Sequence, residues 1–228
     1  MKLGLISDIH GNLRALRAVL NEFEGMELDS IHCLGDMIGY LHQSIQVIDE
    51  IANSKIQTIM GNHEATLLGV VSCPPERWKE YNMETVREHL SKSQKVWLSG
   101  LAVSRMMEID GRKCAFFHGS PWNPLEEYVY PDSSRFSEFP ALGYGVVFLG
   151  HTHRQMLKQV GGVTILNPGS CGLPRDRSSG ASAAVYDSSS GEATFIHAEY
   201  DVAATIEEAK RSKASMAAIE KLSQGCGT

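Results

Sequence analysis

Short apolar segments rich in β-forming residues recur along the whole chain and constrain its fold more than any other feature. Nine are present: Leu3–Ser7, Ile31–Leu34, Ile56–Met60, Ala102–Ile109, Cys114–Phe117, Gly145–Leu149, Val163–Leu166, Ala183–Tyr186 and Ala193–Ala198. Amphipathic helical patterns over Asn12–Phe23 and Ile45–Ala52 separate the first three segments. This βαβαβ order predicts parallel strands joined by right-handed crossovers.

The second half of the chain favours hairpins instead. Asp110-Gly111 lies between two of the apolar segments, and Ser188–Gly191 is a second turn sequence. The change predicts an α/β protein built from two sheets that pack together. A chain of 228 residues is long enough to bury a full core, so we expect a single domain over residues 1–228.

Four further segments carry predictions of their own. The spacing of apolar residues predicts a helix over Thr85–Leu98 and a C-terminal surface helix over Val202–Leu222. Val70–Glu80 contains Pro74-Pro75 and is expected to be a loop. Ser120–Pro140 is rich in Pro, Ser, Tyr and acidic residues, which predicts a long loop or a lid near the site.

Composition narrows the classes of function. The formal net charge of -6 disfavours a general nucleic-acid-binding surface, which is usually basic. No apolar stretch is long enough to span a membrane. The five cysteines include no C-x-x-C pair, which argues against a thiolate zinc site or a disulfide framework. We therefore expect a cytoplasmic protein that acts on a small molecule and has no membrane partner.

Five short polar motifs follow apolar segments, in order along the chain. They are Asp8-Ile9-His10, Gly35-Asp36, Gly61-Asn62-His63-Glu64, His118-Gly119 and Gly150-His151-Thr152-His153. Open α/β sheets place their ligands at the carboxyl ends of strands, so we expect these side chains at one site. Each motif alone is compatible with a turn or a buried polar residue. Five of them in order, each after a strand, are hard to obtain from packing alone.

Apart from Glu64, the motifs supply two carboxylates, one carboxamide and five imidazoles. Oxygen and nitrogen ligands of this kind suit two divalent metal ions, with one histidine left over for proton transfer. The set predicts a metal-dependent enzyme that acts on phosphate esters. The other histidines, His32, His42, His89 and His197, match no motif and are expected to be structural.

The five motifs resemble the signature of the calcineurin-like metallophosphoesterases, and the resemblance covers about residues 1–175. The segments Gly39-Tyr40 and Asn167-Pro168-Gly169-Ser170 are similar to the small bacterial and archaeal phosphodiesterase branch of that family. The resemblance implies a four-layer α-β-β-α sandwich with two packed mixed sheets.

The resemblance also implies roles for the motif residues. One metal ion would be held by Asp8, His10, Asp36 and His153, and the other by Asp36, Asn62, His118 and His151. His63 would be catalytic and would protonate the leaving oxygen after attack by a metal-bound hydroxide. Mn²⁺ is the leading candidate for both ions, with Fe, Zn²⁺ and Ni²⁺ as alternatives.

The chain departs from the protein serine/threonine phosphatase branch at two places. That branch has Asp-Arg where this chain has Gly39-Tyr40, and an arginine where this chain has Met60. A carboxylate that would orient the catalytic histidine is therefore missing, together with two arginines that suit a phosphate monoester. The departures favour a phosphodiester or a nucleotide-type substrate.

Two residues outside the metal ligands are candidate substrate contacts. Arg175 would either bind phosphate or form a salt bridge with Asp176. Asn12 would either contact phosphate or cap the helix that follows, and capping is the favoured role. Substrate specificity is expected to reside in residues 39–44, 70–81 and 120–140.

Several alternatives stay open at this point. Within the enzyme class they are a dinucleoside polyphosphate hydrolase and a phosphomonoesterase. Outside it stands a non-catalytic scaffold of the same fold, as in the phosphoesterase-like subunit of the retromer coat. A nuclease is disfavoured by the acidic charge balance. Three tryptophans and the apolar face of the C-terminal helix are compatible with a homo-oligomer.

Overall fold

The computed structural model describes residues 1–176, 180–212 and 214–225, and its first half alternates strands and helices. Strands β1 (Lys2–Ile6), β2 (Ser30–Cys33) and β3 (Gln57–Thr58) alternate with helices α1 (Leu13–Glu24) and α2 (Ser44–Ala52). The three strands pair in parallel. This order confirms the predicted βαβαβ unit. The apolar stripe of each helix is buried.

Four short helices follow β3, and here two predictions were wrong. They are α3 (Asn62–Leu67), α4 (Pro75–Glu80), α5 (Met83–His89) and α6 (Lys92–Ser99). The single helix expected over residues 85–98 is divided, because Leu90 adopts an extended conformation and Ser91 forms a capping box with Gln94. The loop expected over residues 70–80 ends in α4, which begins with Pro75 at its first position.

The second sheet is built from the middle of the chain. Its strands are β4 (Ser104–Ile109), β5 (Arg112–Phe117), β6 (Val146–Phe148), β7 (Gln155–Val160) and β8 (Val163–Pro168), in the order β4-β5-β6-β8-β7. Strand β7 was not predicted, because this edge strand exposes most of its side chains and lacks an apolar run. Its antiparallel pairing with β8 places it in the sheet.

The last two strands return to the first sheet. Strands β9 (Ala181–Asp187) and β10 (Glu192–Ala198) extend it to the order β10-β9-β1-β2-β3, with β9 antiparallel to β1. Both sheets are therefore mixed. Their facing surfaces form a continuous apolar core, which includes Leu3, Leu5, Phe116, Phe148 and Tyr186.

Helices cover the outer face of the first sheet, and residues 120–144 cover the outer face of the second. Within this second cover, a 3-10 helix (Ser134–Leu142) buries Phe139 against Val147 and Ile165 of the sheet. The predicted α-β-β-α sandwich is confirmed, with this 3-10 helix and its flanking loops as the fourth layer. Because the segment packs on the sheet, most of it is a fixed cover.

The C-terminal helix expected over residues 202–222 is two helices, α7 (Val202–Arg211) and α8 (Met216–Gly225). One straight helix of that length would extend about 30 Å, so its far end would lie away from the core. The break lets Ala209 of α7 and Ala218, Ile219 and Leu222 of α8 join the same apolar cluster. Ser215 begins α8 by accepting the N–H groups of Ala218 and Ile219.

The cysteines of the described residues are free thiols, and three of these four are buried. Cys33, Cys114 and Cys171 are buried free thiols, Cys73 is partly exposed, and Cys226 lies outside the described residues. Within the described ranges, none of the helices has the length and apolar character that a membrane crossing requires.

His32 lies in the interface between the two sheets. It is buried and stacks on Phe116 of the facing sheet, with ring centroids 4.6 Å apart. Burial lowers the pKa of His32 to about 4, and the charge of Arg105 adds to the effect. The folded protein therefore keeps this imidazole neutral at pH values where the unfolded chain already binds a proton.

We predict that His32→Leu reduces the loss of stability in acid. His32 lowers the free energy of unfolding as the pH falls from about 6.5 to about 4, by on the order of 3 kcal/mol in total. Urea unfolding at pH 7 and pH 4.5 measures this loss, which should be smaller in the variant than in the wild type. His197→Leu, at an exposed position of β10, is the matched control. Equal losses in wild type and His32→Leu would contradict the prediction.

Candidate metal centre

The carboxyl ends of five strands deliver all five polar motifs to one place. Asp8 and His10 follow β1, Asp36 follows β2, Asn62 and His63 open α3 after β3, His118 follows β5, and His151 and His153 follow β6. All of these side chains are buried except that of Asn62, which is half-buried. The first three strands belong to one sheet and the other two to the second sheet, so the site spans both.

The backbone at these residues is strained. Asp8, His10, Asp36, His151 and His153 all have φ between 51° and 66°, a left-handed region that residues other than glycine rarely adopt. Neighbouring loops hold this conformation, since Asp8 N donates to Gly35 O and His10 N donates to Asp36 O, both at 3.0 Å. Strain of this kind persists where the surrounding structure over-determines it, and it clusters at functional sites.

One group of ligand atoms is formed by Asp8, His10 and His153, which lie within 4.8 Å of one another. Nδ1 of His10 lies 3.1 Å from Ile38 O, and Nδ1 of His153 lies 2.6 Å from Leu173 O. Because a carbonyl only accepts, each Nδ1 donates and each Nε2 carries a lone pair. The two Nε2 atoms nevertheless face each other at 3.1 Å.

A second group is formed by Asp36, His118 and His151. Nδ1 of His118 donates to Leu34 O at 2.8 Å, and Nε2 of His151 donates to Glu126 O at 3.3 Å. The remaining nitrogens of the two rings face each other at 3.0 Å, and Oδ1 of Asn62 lies 3.0 Å from His118 Nε2. Two ring nitrogens and an amide oxygen, each of which can bind a metal ion, therefore converge.

Asp36 lies between the two groups. Its Oδ2 is 3.3 Å from His118 Nε2 and 3.8 Å from His10 Nε2. On the other side, Oδ1 of Asp8 is buried and has no hydrogen-bond partner, although His153 Nε2 lies 3.2 Å away. Opposed lone pairs and an unpartnered carboxylate oxygen repel one another unless cations lie among them. The donor set therefore fits divalent metal ions.

The electrostatics of the cluster agree with this fit. Burial alone would raise the pKa of Asp36, but the neighbouring His118 and His63 outweigh it and hold the pKa below its ordinary value. Burial lowers the pKa of His151 to about 3 and that of His153 to about 4. Asp36 outweighs burial at His118 and raises its pKa to about 9. The cluster thus offers ionised carboxylates and mostly neutral imidazoles.

His63 forms a third possible ligand group with His10 and Asp36, but its surroundings differ from those of the other site histidines. Its Nδ1 is buried and has no hydrogen-bond partner, while Nε2 lies 3.8 Å from Asp36 Oδ2. The ring packs against Tyr81 at 4.1 Å and Tyr40 at 5.1 Å between centroids. Gly39 has φ of 92°, and a Cβ atom there would collide with His63 Nδ1. Aromatic rings and a glycine thus position His63, where the phosphatase branch has a carboxylate.

Glu64 braces the loops that carry the ligands. Its Oε2 accepts the N–H groups of Asp36 and Gly61, and its Oε1 accepts those of Met37 and Ile38, at 2.8–3.2 Å. Burial, followed by the charge of Asp36, raises the pKa of Glu64 to about 7, while the N–H donors act in the opposite direction. This single side chain ties the loop after β2 to the loop after β3.

The two candidate substrate contacts, Asn12 and Arg175, lie in different surroundings. Asn12 is fully buried, and its side chain accepts from Ala15 N and donates to Gly172 O and to the hydroxyl of Tyr200. It caps α1, which is the favoured of the two roles expected from the sequence. Arg175 lies beside the cluster: its N donates to His153 O at 3.0 Å, and its Nε is buried without a partner.

A cleft of about 340 Å³ opens beside the second ligand group. Asn62 and His151 form its floor, and Arg77, Tyr81 and Tyr128 are among the residues of its walls. No motif marked these three wall residues. The only sequence signal was that they fall in segments, residues 70–81 and 120–140, that were expected to carry specificity.

None of the four histidines outside the motifs joins the ligand groups found among the described residues. His32 lies between the sheets, His42 has Nε2 3.8 Å from Glu208 Oε2, and His89 and His197 are exposed. Their placement agrees with structural roles.

Two mixed sheets that bring Asp, Asn and His side chains together at their strand ends define a protein of the metallophosphoesterase class. The chain matches the family model of the calcineurin-like phosphoesterase superfamily domain over residues 1–191. It belongs to this family, as the motifs predicted. The family uses divalent metal ions, for which the groups described above supply ligands.

Individual relatives agree with this assignment. The chain is 28% identical over 231 residues to an uncharacterised protein of Methanocaldococcus jannaschii, covering 92% of this chain and 93% of that protein. A phosphodiesterase of the same organism is 27% identical over 175 residues, covering 75% and 84%. The crystal structure of a metallophosphoesterase from Sphaerobacter thermophilus is similar with a TM-score of 0.81 and 26% identity, covering 99% of both chains.

We predict that Glu64→Gln destabilises the metal-free protein by about 2 kcal/mol or more, because the amide cannot accept all four N–H groups and leaves buried donors unpaired. Urea unfolding in the presence of a chelator measures the change. Glu88→Gln, at an exposed position of α5, is the control and should stay within about 0.5 kcal/mol of wild type. A Glu64→Gln variant as stable as that control would contradict the bracing role.

Proposed function

We propose that this protein is a phosphodiesterase that uses two divalent metal ions. The observation that carries the proposal is the set of possible ligand atoms that converge on both sides of Asp36. One ring nitrogen from each of four histidines, Asp8 Oδ1 and Asn62 Oδ1 all point inward. Such an arrangement is unfavourable unless positive charge lies within it, and one carboxylate between two groups suits a pair of ions.

The ligand assignment follows the two groups. Asp8, His10, Asp36 and His153 would hold one ion, and Asp36, Asn62, His118 and His151 would hold the other. The neutral amide of Asn62 limits the negative charge around the second ion. Oxygen and nitrogen ligands without thiolate suit Mn²⁺, and they also accept Fe, Zn²⁺ or Ni²⁺.

The bound ions would stabilise negative charge on the phosphoryl oxygens and lower the pKa of a bound water molecule. The bond from phosphorus to the leaving oxygen breaks as the oxygen of water joins phosphorus, so the products are a phosphate monoester and an alcohol. The leaving oxygen needs a proton, and His63 is the one site histidine outside the two proposed ligand sets. Burial lowers the pKa of His63, so we expect it to take up its proton together with the anionic substrate.

The cations near the site favour a diester over a monoester. Met60, Gly39 and Tyr40 provide no guanidinium group where the phosphatase branch has arginines. Arg175 is the cation beside the first group, and its charge acts on His153 and Tyr40. A monoanionic diester requires less positive charge than a dianionic monoester, so one nearby arginine is sufficient.

We predict that metal-stripped protein is inactive and that Mn²⁺ restores hydrolysis of bis(4-nitrophenyl) phosphate more than that of 4-nitrophenyl phosphate. Activity should saturate at two ions per chain, measured by titration with parallel metal analysis. Full activity in the stripped protein would rule out the two-metal mechanism. A preference for the monoester would rule out the diester assignment.

We predict that His63→Ala lowers kcat by about 100-fold or more for a diester that releases an alkoxide, and much less for bis(4-nitrophenyl) phosphate, whose 4-nitrophenolate leaves without a proton. Bound Mn²⁺ should stay unchanged, because the side chain holds no ion. Steady-state kinetics with metal analysis of the same samples tests this. His89→Ala, at an exposed position, is the matched control. Loss of metal from His63→Ala would place His63 among the ligands instead.

A further inference from the structure

The cleft beside the second ligand group extends away from the proposed metal ligands. An inference about its ligand rests on the proposed function only for the position of the phosphate. The cleft opens directly from Asn62 and His151, so a substituent of a phosphodiester held at the metals would extend into it. Its volume of about 340 Å³ lies within the range of small-molecule sites, which is about 300–1,000 Å³.

Two tyrosine rings form walls of the cleft, and histidines of the site hold both in place. Tyr128 lies nearly parallel to His151, with centroids 3.8 Å apart and an interplanar angle of 20°. Tyr81 packs on His63 at 4.1 Å, and its hydroxyl accepts a hydrogen bond from Arg77 Nη1 at 3.0 Å. Tyr128 also stacks on Tyr130, with centroids 5.5 Å apart, yet it is 40% exposed, so part of its ring remains available to a ligand. Tyr81 is 6% exposed and forms a closed wall. Rings fixed in this way bind a planar group with little loss of side-chain entropy.

The polar groups of the cleft have mixed character. Arg77 and Glu126 are exposed and line it with opposite charges, and Ser72 adds a hydroxyl. A hydrocarbon chain would leave these groups desolvated without partners. A chain of further phosphates would meet the carboxylate of Glu126. The lining suits an uncharged, planar group that both donates and accepts hydrogen bonds.

We propose that this cleft binds the nucleoside part of a nucleotide phosphodiester, with the base against the exposed part of Tyr128. Bases stack on aromatic side chains whatever their sequence identity, because each base has a π face. Arg77 supplies donors and Glu126 supplies acceptors for the polar edges of base and sugar. The metal centre then cleaves the ester, and the cleft selects which ester is cleaved.

The test uses the Mn²⁺-loaded protein and two diesters with the same leaving group. The diesters are thymidine 5′-(4-nitrophenyl phosphate) and methyl 4-nitrophenyl phosphate. Both release 4-nitrophenolate, so the ratio of their kcat/KM values reports the nucleoside contacts. We expect the thymidine ester to be preferred by about tenfold or more. Tyr128→Leu and Arg77→Gln should each lower this ratio about fivefold or more, and the methyl ester corrects for any effect on the metal centre.

Two controls separate the cleft from the metal site. Tyr128→Phe keeps the ring and should retain the ratio. Tyr144→Leu changes a tyrosine that packs on the outer face of the second sheet and does not line the cleft, and it should also retain the ratio. A wild-type ratio near one, or a ratio that Tyr128→Leu and Arg77→Gln leave unchanged, would overturn the inference while the diesterase stands.

Binding distinguishes this inference from the proposed function. If neither ester is hydrolysed, the proposed function fails, and calorimetric titration with thymidine 5′-monophosphate decides about the cleft. Binding that is tighter than that of methyl phosphate and is lost in Tyr128→Leu supports the nucleoside site. Equal binding of the two phosphates overturns it.

Discussion

Hydrogen bonds from imidazoles to main-chain carbonyl groups are the interaction on which the metal centre depends. His10, His118, His151 and His153 each donate one ring N–H to a carbonyl oxygen, which fixes the tautomer and turns the other nitrogen inward. Partners of this kind orient metal ligands and raise their basicity. The carbonyls belong to the loops after β2, after β5 and after β8, so the ligand geometry exists only when both sheets are assembled. The carboxylate of Glu64 binds the loops after β2 and after β3, and Asp36, a ligand residue with a left-handed conformation, lies in the first of them.

His63 illustrates how a family site can change its supports. The aromatic rings of Tyr40 and Tyr81, with Gly39 beneath, occupy the surroundings in which the phosphatase branch places a carboxylate. Packing of this kind restrains the ring without adding a negative charge next to it. Tyr81 also faces the cleft, so one side chain connects the proposed proton donor to the proposed substrate site.

The metal centre and the cleft are built from different kinds of structure. The ligands stand at strand ends, where two packed sheets hold them rigidly, whereas the cleft walls come from residues 71–81 and 126–128. Chemistry common to a family resides in such a scaffold, and substrate choice resides in the connecting segments. We therefore expect relatives with the same ligands to differ in the substituent that they accept.

The amino-acid sequence by itself determined the βαβαβ unit, the two-sheet class and the motif set, because apolar periodicity and residues that follow strands are local properties. It did not reveal the edge strand β7, the division of residues 85–98, or the break before α8. Those depend on pairing and packing with distant parts of the chain. Only the tertiary structure decided that Glu64 accepts four N–H groups and that Tyr81, Tyr128 and Arg77 share a cleft. The physical reason is that these contacts join side chains that are far apart in sequence, and a local sequence pattern carries no information about such contacts.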